Sequence, residues 1–434
     1  MAKKRPTARP SADAAAPPAP PLGWRVVAPI VAAAAAAQTV VWIVLWELFG
    51  IVRAGYWFFD LSDILGTYYP YALNISRGMA AYRDFFIEYP PLFVPLLVAV
   101  GNPVPEAKFA ILFALLMVTF MVAAGAVTAL AAVDARSAWR PYLVVGVFSA
   151  LVFALGPISA NRYDAVVAFV LALALLLMAR GKWELAGVVI GLGFALKITP
   201  AMLLPIVLVL APTRRAVRAL ASFAVAAVVP FLWVLALGGS SASTLGQMLA
   251  YHLTRPLEIE SVLATPLWVA RLVGTPVTVG LAAGSQVVVS GVADVIAKAS
   301  ALVLLAALGA TFWLVWRRRQ TILAEPRFVM LASLATMLAS LVGSKVLSPQ
   351  YFVWIVPAVA LVAVDRRLLG GLLGMALLLT QVLFPANYWA FALRQLEGPI
   401  LLVVVRNLLV VAAFALSLWH LWTLPERPQN ARAR

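Results

Sequence analysis

Residues 161–200 read NRYDAVVAFVLALALLLMARGKWELAGVVIGLGFALKITP, and this stretch decides the fold. It holds two apolar runs, near 163–179 and 184–198, on either side of the basic turn RGK at 180–182. Each run is close to the length that a helix needs to cross a hydrocarbon core of about 30 Å. Because Lys and Arg concentrate in cytoplasmic loops, the stretch predicts two membrane-spanning helices that are joined on the cytoplasmic side.

The rest of the chain also consists mainly of apolar runs that are separated by short polar segments. Of the 434 residues, 64% are apolar and 12% are charged, and the mean hydropathy is +0.98, whereas a soluble domain has about 25% charged residues. The composition predicts an all-α polytopic membrane protein with about 12 transmembrane helices over residues 25–424, a disordered cytoplasmic tail at 1–24 and a second cytoplasmic tail at 425–434. The predicted spans lie near 25–50, 106–131, 141–157, 163–179, 184–198, 199–212, 219–238, 298–316, 328–344, 350–365, 367–385 and 398–422.

Membrane topology accounts for the net charge of +16. With twelve spans, the basic clusters at 136–140, 214–218 and 317–319 fall on the same side as both termini. This distribution follows the positive-inside rule, so these clusters are typical of cytoplasmic loop anchors. The charge therefore indicates a multi-pass protein of the cytoplasmic (inner) membrane and does not indicate a nucleic-acid partner.

Two long connections remain on the outer side, at 51–105 and 239–297. In the first connection, PPLFVPLLVAV at 90–100 is too short to cross the membrane. In the second, TPLWVARLVG and VTVGLAAGSQVVVSGVADVI are predicted to lie along the membrane surface or to re-enter it. We therefore expect juxtamembrane helices at the outer face.

The chain has no cysteine and only two histidines, His252 and His420. It can therefore form neither a disulfide, nor a thiolate metal site, nor a multi-histidine metal site. Carboxylates could still bind a divalent cation, but no spacing here is diagnostic of one. The sequence therefore predicts no cofactor and leaves a divalent metal open.

The first outer connection contains an unusual density of polar side chains. Residues 60–92, DLSDILGTYYPYALNISRGMAAYRDFFIEYPPL, hold four of the 17 acidic residues in the chain. Two of these acids, Asp84 and Glu88, are expected to shape the loop, with Arg77 or Arg83 as ion-pair partner. The tyrosines could stack on sugar rings or form an interfacial belt. The other two acids are Asp60 and Asp63, and the tyrosines are Tyr68, Tyr69, Tyr71, Tyr82 and Tyr89.

Further polar side chains lie at the outer ends of the predicted spans. Arg162 and Asp164 are expected to pair with each other, and Lys197 precedes a helix break at Pro200. Arg406 lies within the last span, where a charge is costly, so we expect it to face a protein-lined or headgroup-lined cavity. The remaining polar residues are His252, Arg255, Glu258 and Glu260 in YHLTRPLEIES, and Lys345 and Gln350 in GSKVLSPQYFVW.

Acids beside several Lys and Arg residues at one membrane face are typical of a particular kind of site. A carboxylate can take a proton from an attacking hydroxyl, and cations stabilise phosphate oxygens. In order, the segments DILGTYYPYALNISRG, YRDFFIEYPPL, residues 161–200, TRPLEIES and SKVLSPQYFVWIVP resemble the bacterial GT-C membrane glycosyltransferases of glycosyltransferase family 87. The resemblance runs from about residue 60 to residue 356.

The resemblance implies a GT-C fold and an inverting glycosyltransferase without a metal. Its expected donor is a polyprenyl-phosphate sugar, carrying mannose or, as the alternative, arabinofuranose. Its expected acceptor is a glycolipid, a lipoglycan or another glycan, and its active site is expected at the outer face of the cytoplasmic membrane, among membrane lipids.

The resemblance also implies roles for residues. The catalytic aspartate of the first outer loop falls best on Asp63, which precedes the Tyr68–Tyr69 pair, but the spacing is one residue longer here and leaves Asp60 as the alternative base. The residues expected to bind the donor phosphate are Lys197, Arg255, Lys345, Arg162 and Arg406. The residues expected to bind substrate or shape the loops are Tyr68, Tyr69, Asp84, Glu88, Tyr89, Asp164, His252, Glu258 and Gln350.

Two other classes of function are compatible with twelve spans. A secondary transporter would place charges near the bilayer midplane and relate two halves by an internal repeat. The sequence has no convincing repeat and places most non-cytoplasmic charge at the outer ends of spans. A noncatalytic scaffold of envelope assembly would tolerate loss of Asp63.

Overall fold

The computed structural model of the protein describes residues 20–51, 60–101, 104–237 and 242–425. The predictions of tails at 1–24 and 425–434 fall largely outside the described residues. The described residues form eighteen α-helices and a β-hairpin. The helices are α1 (Trp24–Ile51), α2 (Tyr69–Ser76), α3 (Phe93–Val100), α4 (Glu106–Ala131), α5 (Arg140–Leu155), α6 (Asp164–Ala179), α7 (Trp183–Leu196), α8 (Leu204–Leu210), α9 (Thr213–Leu237), α10 (Ala242–Thr254), α11 (Thr265–Leu272), α12 (Gly291–Arg317), α13 (Arg319–Ala324), α14 (Pro326–Gly343), α15 (Tyr351–Ala363), α16 (Arg367–Leu383), α17 (Tyr388–Ala392) and α18 (Glu397–Trp422).

Seven of the described helices are long and apolar enough to cross a membrane, namely α1, α4, α5, α9, α12, α14 and α18. Six further apolar segments are shorter and contain α6, α7, α8, α11, α15 and α16. Each of the twelve predicted spans coincides with one of these thirteen helices, and α11 is the additional one. The prediction of an all-α polytopic membrane protein is therefore confirmed.

The helices α7 and α9 pack backbone to backbone. A Cβ atom built on Gly187 would lie 2.2 Å from the carbonyl oxygen of Ala219, and one on Gly191 would lie 2.5 Å from that of Phe223. Glycines spaced by four residues let helices approach this closely in a membrane, where packing provides much of the association energy. The close approach fixes the position of α7, whose C-terminal end carries Lys197.

The helix break predicted near Lys197 is present. Helix α7 ends at Leu196, Lys197 adopts an extended backbone, and a 3-10 turn at Thr199–Leu203 leads into α8. Pro200 occupies the start of this turn, where its missing N–H costs no helical hydrogen bond. The break turns the side chain of Lys197 away from the regular path of α7.

The first connection folds into short elements at one end of the bundle. A π turn at Ile64–Tyr68 runs into α2, and a tight turn at Gly78 with φ of 82° leads on toward α3. Helix α3 has eight residues, in agreement with the prediction that 90–100 is too short to cross. Residues 52–59 and 102–103 of this connection lie outside the described part of the chain.

The second connection differs from its prediction. The segment VTVGLAAGSQVVVSGVADVI contains no surface or re-entrant helix, because β1 (Val279–Ala282) and β2 (Ser285–Val288) form an antiparallel hairpin and α12 begins directly afterwards at Gly291. The turn residues Ala283 and Gly284 have φ of 48° and 70°. Positive φ at both central residues is the geometry of a two-residue hairpin turn, and the flanking valines favour strands.

A small core anchors the second connection to the bundle. Trp268 of α11 is fully buried against Phe391 at a ring distance of 4.7 Å, and its indole N–H donates to the backbone of Ile259. Residues Leu257 and Ile259 pack into the same cluster. This cluster holds the segment 257–260 against the ends of the spanning helices.

Candidate active site

A cavity of about 880 Å³ lies at the end of the bundle where α6 begins and α7 ends. The first connection, the β1–β2 hairpin and the turn between α14 and α15 contribute to its walls. Its volume falls in the range of ligand sites, and such sites combine apolar walls with a few polar groups. The ionisable residues that line it are Asp60, Asp63, Glu88, Arg162, Asp164, Lys197, His252, Arg255, Glu258 and Glu260.

Arg162 joins the first connection to the start of α6. Its Nη2 donates to Asp60 Oδ2 at 2.5 Å, and its Nε forms an ion pair with Asp63 Oδ2 at 2.5 Å. Only 4% of Arg162 is exposed. Burial opposes the charge of Arg162, but Asp63 and Asp60 outweigh it and raise the pKa of the guanidinium above its usual value. Asn161 also donates to the backbone oxygen of Asp60.

The two aspartates have different surroundings. Asp60 accepts hydrogen bonds from the backbone and hydroxyl of Ser62 as well as from Arg162. Burial favours a higher pKa for Asp60, but Arg162 and Ser62 outweigh it and hold the pKa below its usual value. Asp63 has Arg162 as its one polar partner among the described residues, and 32% of its side chain is exposed. Asp63 therefore keeps a free oxygen at the cavity.

The predicted ion pair between Arg162 and Asp164 is wrong. Arg162 lies just before α6 and reaches back to the first connection, whereas Asp164 opens α6 and pairs with Lys197 Nζ at 2.7 Å. Asp164 also accepts from the indole N–H of Trp354. Residues two apart at a helix start point in different directions, so each takes its own partner.

Lys197 lies in a box of aromatic rings. Its Nζ is 4.7 Å from the ring centre of Tyr163, 4.8 Å from Trp354 and 5.5 Å from Tyr351. Ring faces attract a cation, and the pair with Asp164 adds to this attraction. Burial nevertheless lowers the pKa of Lys197 below its usual value, and the pair with Asp164 opposes this decrease.

Arg255 is a second cation at the cavity, on the segment after α10. Its Nη2 donates to Ser285 Oγ at 2.9 Å, and its guanidinium carbon lies 5.7 Å from the ring centre of Tyr251. Among the described residues it forms no ion pair. Burial opposes its charge, but Tyr351 and Glu258 outweigh this effect and raise the pKa of Arg255 above its usual value. Arg255 can therefore bind an anion without first losing a carboxylate partner.

Glu88 and His252 face the cavity from opposite connections. Glu88 accepts a hydrogen bond from Tyr71, and its backbone oxygen lies 3.0 Å from His252 Nε2. Burial lowers the pKa of His252 below its usual value, and Arg255 and Lys197 add to the decrease against the opposing bond to Glu88. These contacts join α10 to the first connection.

Arg406 lies outside the cavity wall, beneath the segment 258–261. It has no exposed surface, and its Nη1 and Nη2 donate to Glu260 Oε2 at 2.5 Å and to the Glu260 backbone at 2.7 Å. Asn407 donates to the backbone of Ser261 and to Thr265. Arg406 therefore faces a protein-lined pocket, and the geometry supports an anchoring role over the predicted contact with phosphate.

The structure does not bring every candidate to the cavity. Lys345 donates to the backbone of Leu253, Asp84 is held by Arg83 as predicted, and Tyr69 packs on Phe109, all away from the cavity lining. The candidates that do line the cavity are Asp60, Asp63, Tyr68, Glu88, Tyr89, Arg162, Asp164, Lys197, His252, Arg255, Glu258 and Gln350.

Several cavity residues were missed by the sequence reasoning. Tyr163 lies between two predicted site residues in NRYD, and Tyr351 and Trp354 follow Gln350 in SPQYFVW. Their aromatic character inside apolar runs is indistinguishable from ordinary helix packing. Ser285 is on the hairpin that the sequence reasoning did not predict.

One wall of the cavity is apolar. It is formed by Leu304 and Leu308 of α12, by Met337 and Leu341 of α14, and by Ile198, Ala201 and Met202 after α7. Helix α12 is the least buried of the seven long apolar helices, with only 11% of its 18-residue apolar stretch buried by the described part of the chain. The apolar wall therefore adjoins a helix whose surface is largely uncovered by the other described residues.

Among the described residues, no group of three or more His, Asp and Glu side chains has an arrangement that could hold a metal ion. The chemistry that these residues themselves offer is proton transfer to a carboxylate and binding of an anion.

Comparison with curated proteins gives no match for this chain. The family model of glycosyltransferase family 87 matches residues 86–349, which include every cavity cation and most of the cavity acids. Asp60 and Asp63 precede the matched range, and Arg162 within it holds both of them. This match favours the glycosyltransferase hypothesis over the transporter and scaffold hypotheses. The protein belongs to glycosyltransferase family 87 and is a membrane glycosyltransferase.

Proposed function

We propose that the protein transfers a sugar, with mannose as the expected one, from a polyprenyl-phosphate donor to a hydroxyl of a lipid-linked or glycan acceptor. The observation that carries this proposal is what one cavity combines among the described residues: a free carboxylate oxygen on Asp63, a cation on Arg255 without a carboxylate partner, and an apolar wall beside α12. A lipid-linked sugar phosphate needs all three of these features. A nucleotide sugar would have no use for the apolar wall.

The reaction is a single displacement with inversion. Asp63 takes the proton of the acceptor hydroxyl as that oxygen bonds to the anomeric carbon, and the bond between the anomeric carbon and the phosphate oxygen breaks. The electron pair of the broken bond stays with the polyprenyl phosphate. Arg255 and Lys197 stabilise the charge that develops on this leaving group.

Asp63 is a better candidate for the base than Asp60. A base must have a free oxygen within reach of the hydroxyl, and Asp60 already accepts bonds from Ser62 and Arg162. The lowered pKa of Asp60 also makes it a weak proton acceptor. Asp60 instead holds the Arg162 side chain that orients Asp63.

The donor is tested with purified protein and a membrane lipid extract. Polyprenyl-phosphate mannose, polyprenyl-phosphate arabinose and GDP-mannose are supplied in separate reactions, and the products are identified by mass. We expect a product that is heavier by one hexose with the first donor, and NMR of this product should give the inverted anomeric configuration. Transfer from GDP-mannose alone, or retention of configuration, would overturn the proposal.

The cavity is proposed to open on the outer face of the cytoplasmic membrane. Because the chain lacks cysteine, a single introduced thiol can be labelled without background. Leu281→Cys on the hairpin should react with a membrane-impermeant maleimide in intact cells, and Ala135→Cys at the opposite end of the bundle should react only after permeabilisation. The reverse pattern would contradict the proposed orientation.

A further inference from the structure

Glu258 presents an unpaired hydrogen-bond acceptor in the cavity wall. Its side chain is 4% exposed, its Oε1 accepts from Ser348 Oγ at 2.9 Å, and its Oε2 has no hydrogen-bond partner among the described residues. Buried polar atoms nearly always have a partner, because an unpaired one costs stability. Burial raises the pKa of Glu258, although Arg255, Ser348 and the backbone of Leu347 oppose the rise. Such an acceptor points to a ligand that supplies a donor.

Main-chain contacts hold the backbone of Glu258 in place. Its backbone N–H donates to the backbone oxygen of Lys345, and its backbone forms a bridge to Val287 of β2. Glu260, two residues later, is different, since its carboxylate binds the buried Arg406. Of the two glutamates, Glu260 has a structural partner for its charge and Glu258 does not.

The surroundings of Glu258 fit a sugar. Arg255, the proposed phosphate ligand, is three residues earlier and is close enough for its charge to oppose the rise in the pKa of Glu258 that burial causes. Tyr251 and Tyr351 line the same region of the cavity and supply rings on which a sugar can stack. In a sugar phosphate the hydroxyls lie next to the phosphate, so a residue beside the phosphate ligand is placed to contact them.

We propose that Glu258 selects the transferred sugar by accepting a hydrogen bond from one of its hydroxyl groups through Oε2. The inference rests on the proposed function, since it places the donor sugar in the same cavity. Glu258 takes no part in breaking or forming the glycosidic bond. It determines which sugar fits, because a donor without the paired hydroxyl leaves a buried acceptor unsatisfied.

The test combines variants of Glu258 with donors that lack single hydroxyls. Wild-type protein, Glu258→Ala and Glu258→Gln are assayed with polyprenyl-phosphate mannose and with its 2-deoxy, 3-deoxy, 4-deoxy and 6-deoxy analogues. We expect wild type to lose roughly 10- to 150-fold in kcat/KM with one analogue, the value of a hydrogen bond to a charged group. Glu258→Ala should lose the same factor with the full sugar and show no further loss with that analogue. Glu258→Gln, which keeps an acceptor, should be intermediate.

The controls separate the possible failures. Glu397→Gln, at an exposed position outside the cavity lining, should retain the wild-type pattern, and thermal unfolding in detergent should report whether each variant is folded. Suppose that wild type transfers mannose and that folded Glu258→Ala loses the same factor in kcat/KM with each deoxy analogue as wild type does. The role of Glu258 is then overturned, and the proposed function stands. If the loss of kcat/KM that Glu258→Ala abolishes arises from removing a hydroxyl of the acceptor and not of the donor sugar, the assignment to the donor sugar is overturned. If wild type uses no lipid-linked sugar, both proposals fail together.

Discussion

Arg162 and Asp63 form an ion pair at 2.5 Å across 99 positions of sequence, and the same guanidinium binds Asp60. The first connection therefore depends on the start of α6 for the placement of its acids. Of the two aspartates, Asp63 has the free oxygen and Asp60 has the full set of partners. This difference separates a catalytic role from a positioning role.

The first prediction separates these two roles. Asp63→Asn should lower kcat for sugar transfer by about 10²- to 10⁴-fold, the contribution of a general base. Asp60→Asn should cost less, because it leaves the base in place and only loosens Arg162. The measurement is kcat and KM for donor and acceptor with each folded variant. If Asp60→Asn lowers kcat more than Asp63→Asn does, Asp60 is the base and Asp63 is the positioning residue.

The second prediction concerns the leaving group. Arg255→Ala should lower kcat by about 10²- to 10³-fold, as removal of a group that stabilises developing negative charge does. Arg255→Lys should recover only part of this loss, because Lys lacks the planar fork of donors that Arg presents to phosphate. Arg394→Ala removes an exposed cation outside the cavity lining and serves as the matched control. Equal losses in the Arg255 and Arg394 variants would indicate a nonspecific effect of charge.

Hydropathy and charge were sufficient to predict the membrane fold. A helix in lipid must satisfy its own backbone hydrogen bonds, so long apolar runs predict helices. Seven of the twelve predicted spans overlap helices that are long enough to cross a membrane, and the other five overlap shorter apolar helices. The β1–β2 hairpin was missed because AAGS carries a weak turn pattern, and only the positive φ of Ala283 and Gly284 identifies it.

The sequence predicted most of the charged residues of the site but not which of them form ion pairs with each other. Charged residues are rare in this chain, so any that interrupt an apolar run are candidates. Their partners depend on the three-dimensional arrangement. Lys197 pairs with Asp164, which is 33 positions away in the sequence, and Arg406 pairs with Glu260, which is 146 positions away. No local spacing predicts such pairs, and the expected pair of Arg162 with Asp164 failed because it was inferred from sequence proximity.

The third prediction concerns the buried pair of Glu260 and Arg406. Arg406→Met should destabilise the protein by about 3–5 kcal/mol, since it leaves a buried carboxylate without its cation. The double variant Glu260→Leu with Arg406→Met should recover much of this loss, because both charges are then replaced by apolar groups. Thermal unfolding of wild type, both single variants and the double variant completes the cycle. Additive losses would show that the two residues do not interact.

The fourth prediction concerns pH and His252. Its pKa is below the usual value of 6.5 in the folded protein, so the unfolded chain binds the proton more tightly. The unfolding free energy should therefore fall as the pH is lowered through 6.5 toward the folded-state pKa. His252→Gln keeps a polar group near the Glu88 backbone and removes the titration. The difference in stability between wild type and variant should change between pH 7.5 and pH 5, and a constant difference would contradict the lowered pKa.

The fifth prediction concerns the packing that fixes Lys197. Gly187→Ala places a methyl group about 2.2 Å from the Ala219 carbonyl oxygen, which neither backbone can avoid without moving. Helices α7 and α9 must separate, so we expect lower thermal stability together with reduced transfer, since α7 carries Lys197 to the cavity. Gly309→Ala on α12 meets no atom within 4 Å and should keep or slightly raise stability, because Ala favours a helix over Gly by about 1 kcal/mol. Similar unfolding temperatures for the two variants would contradict the close contact of α7 with α9.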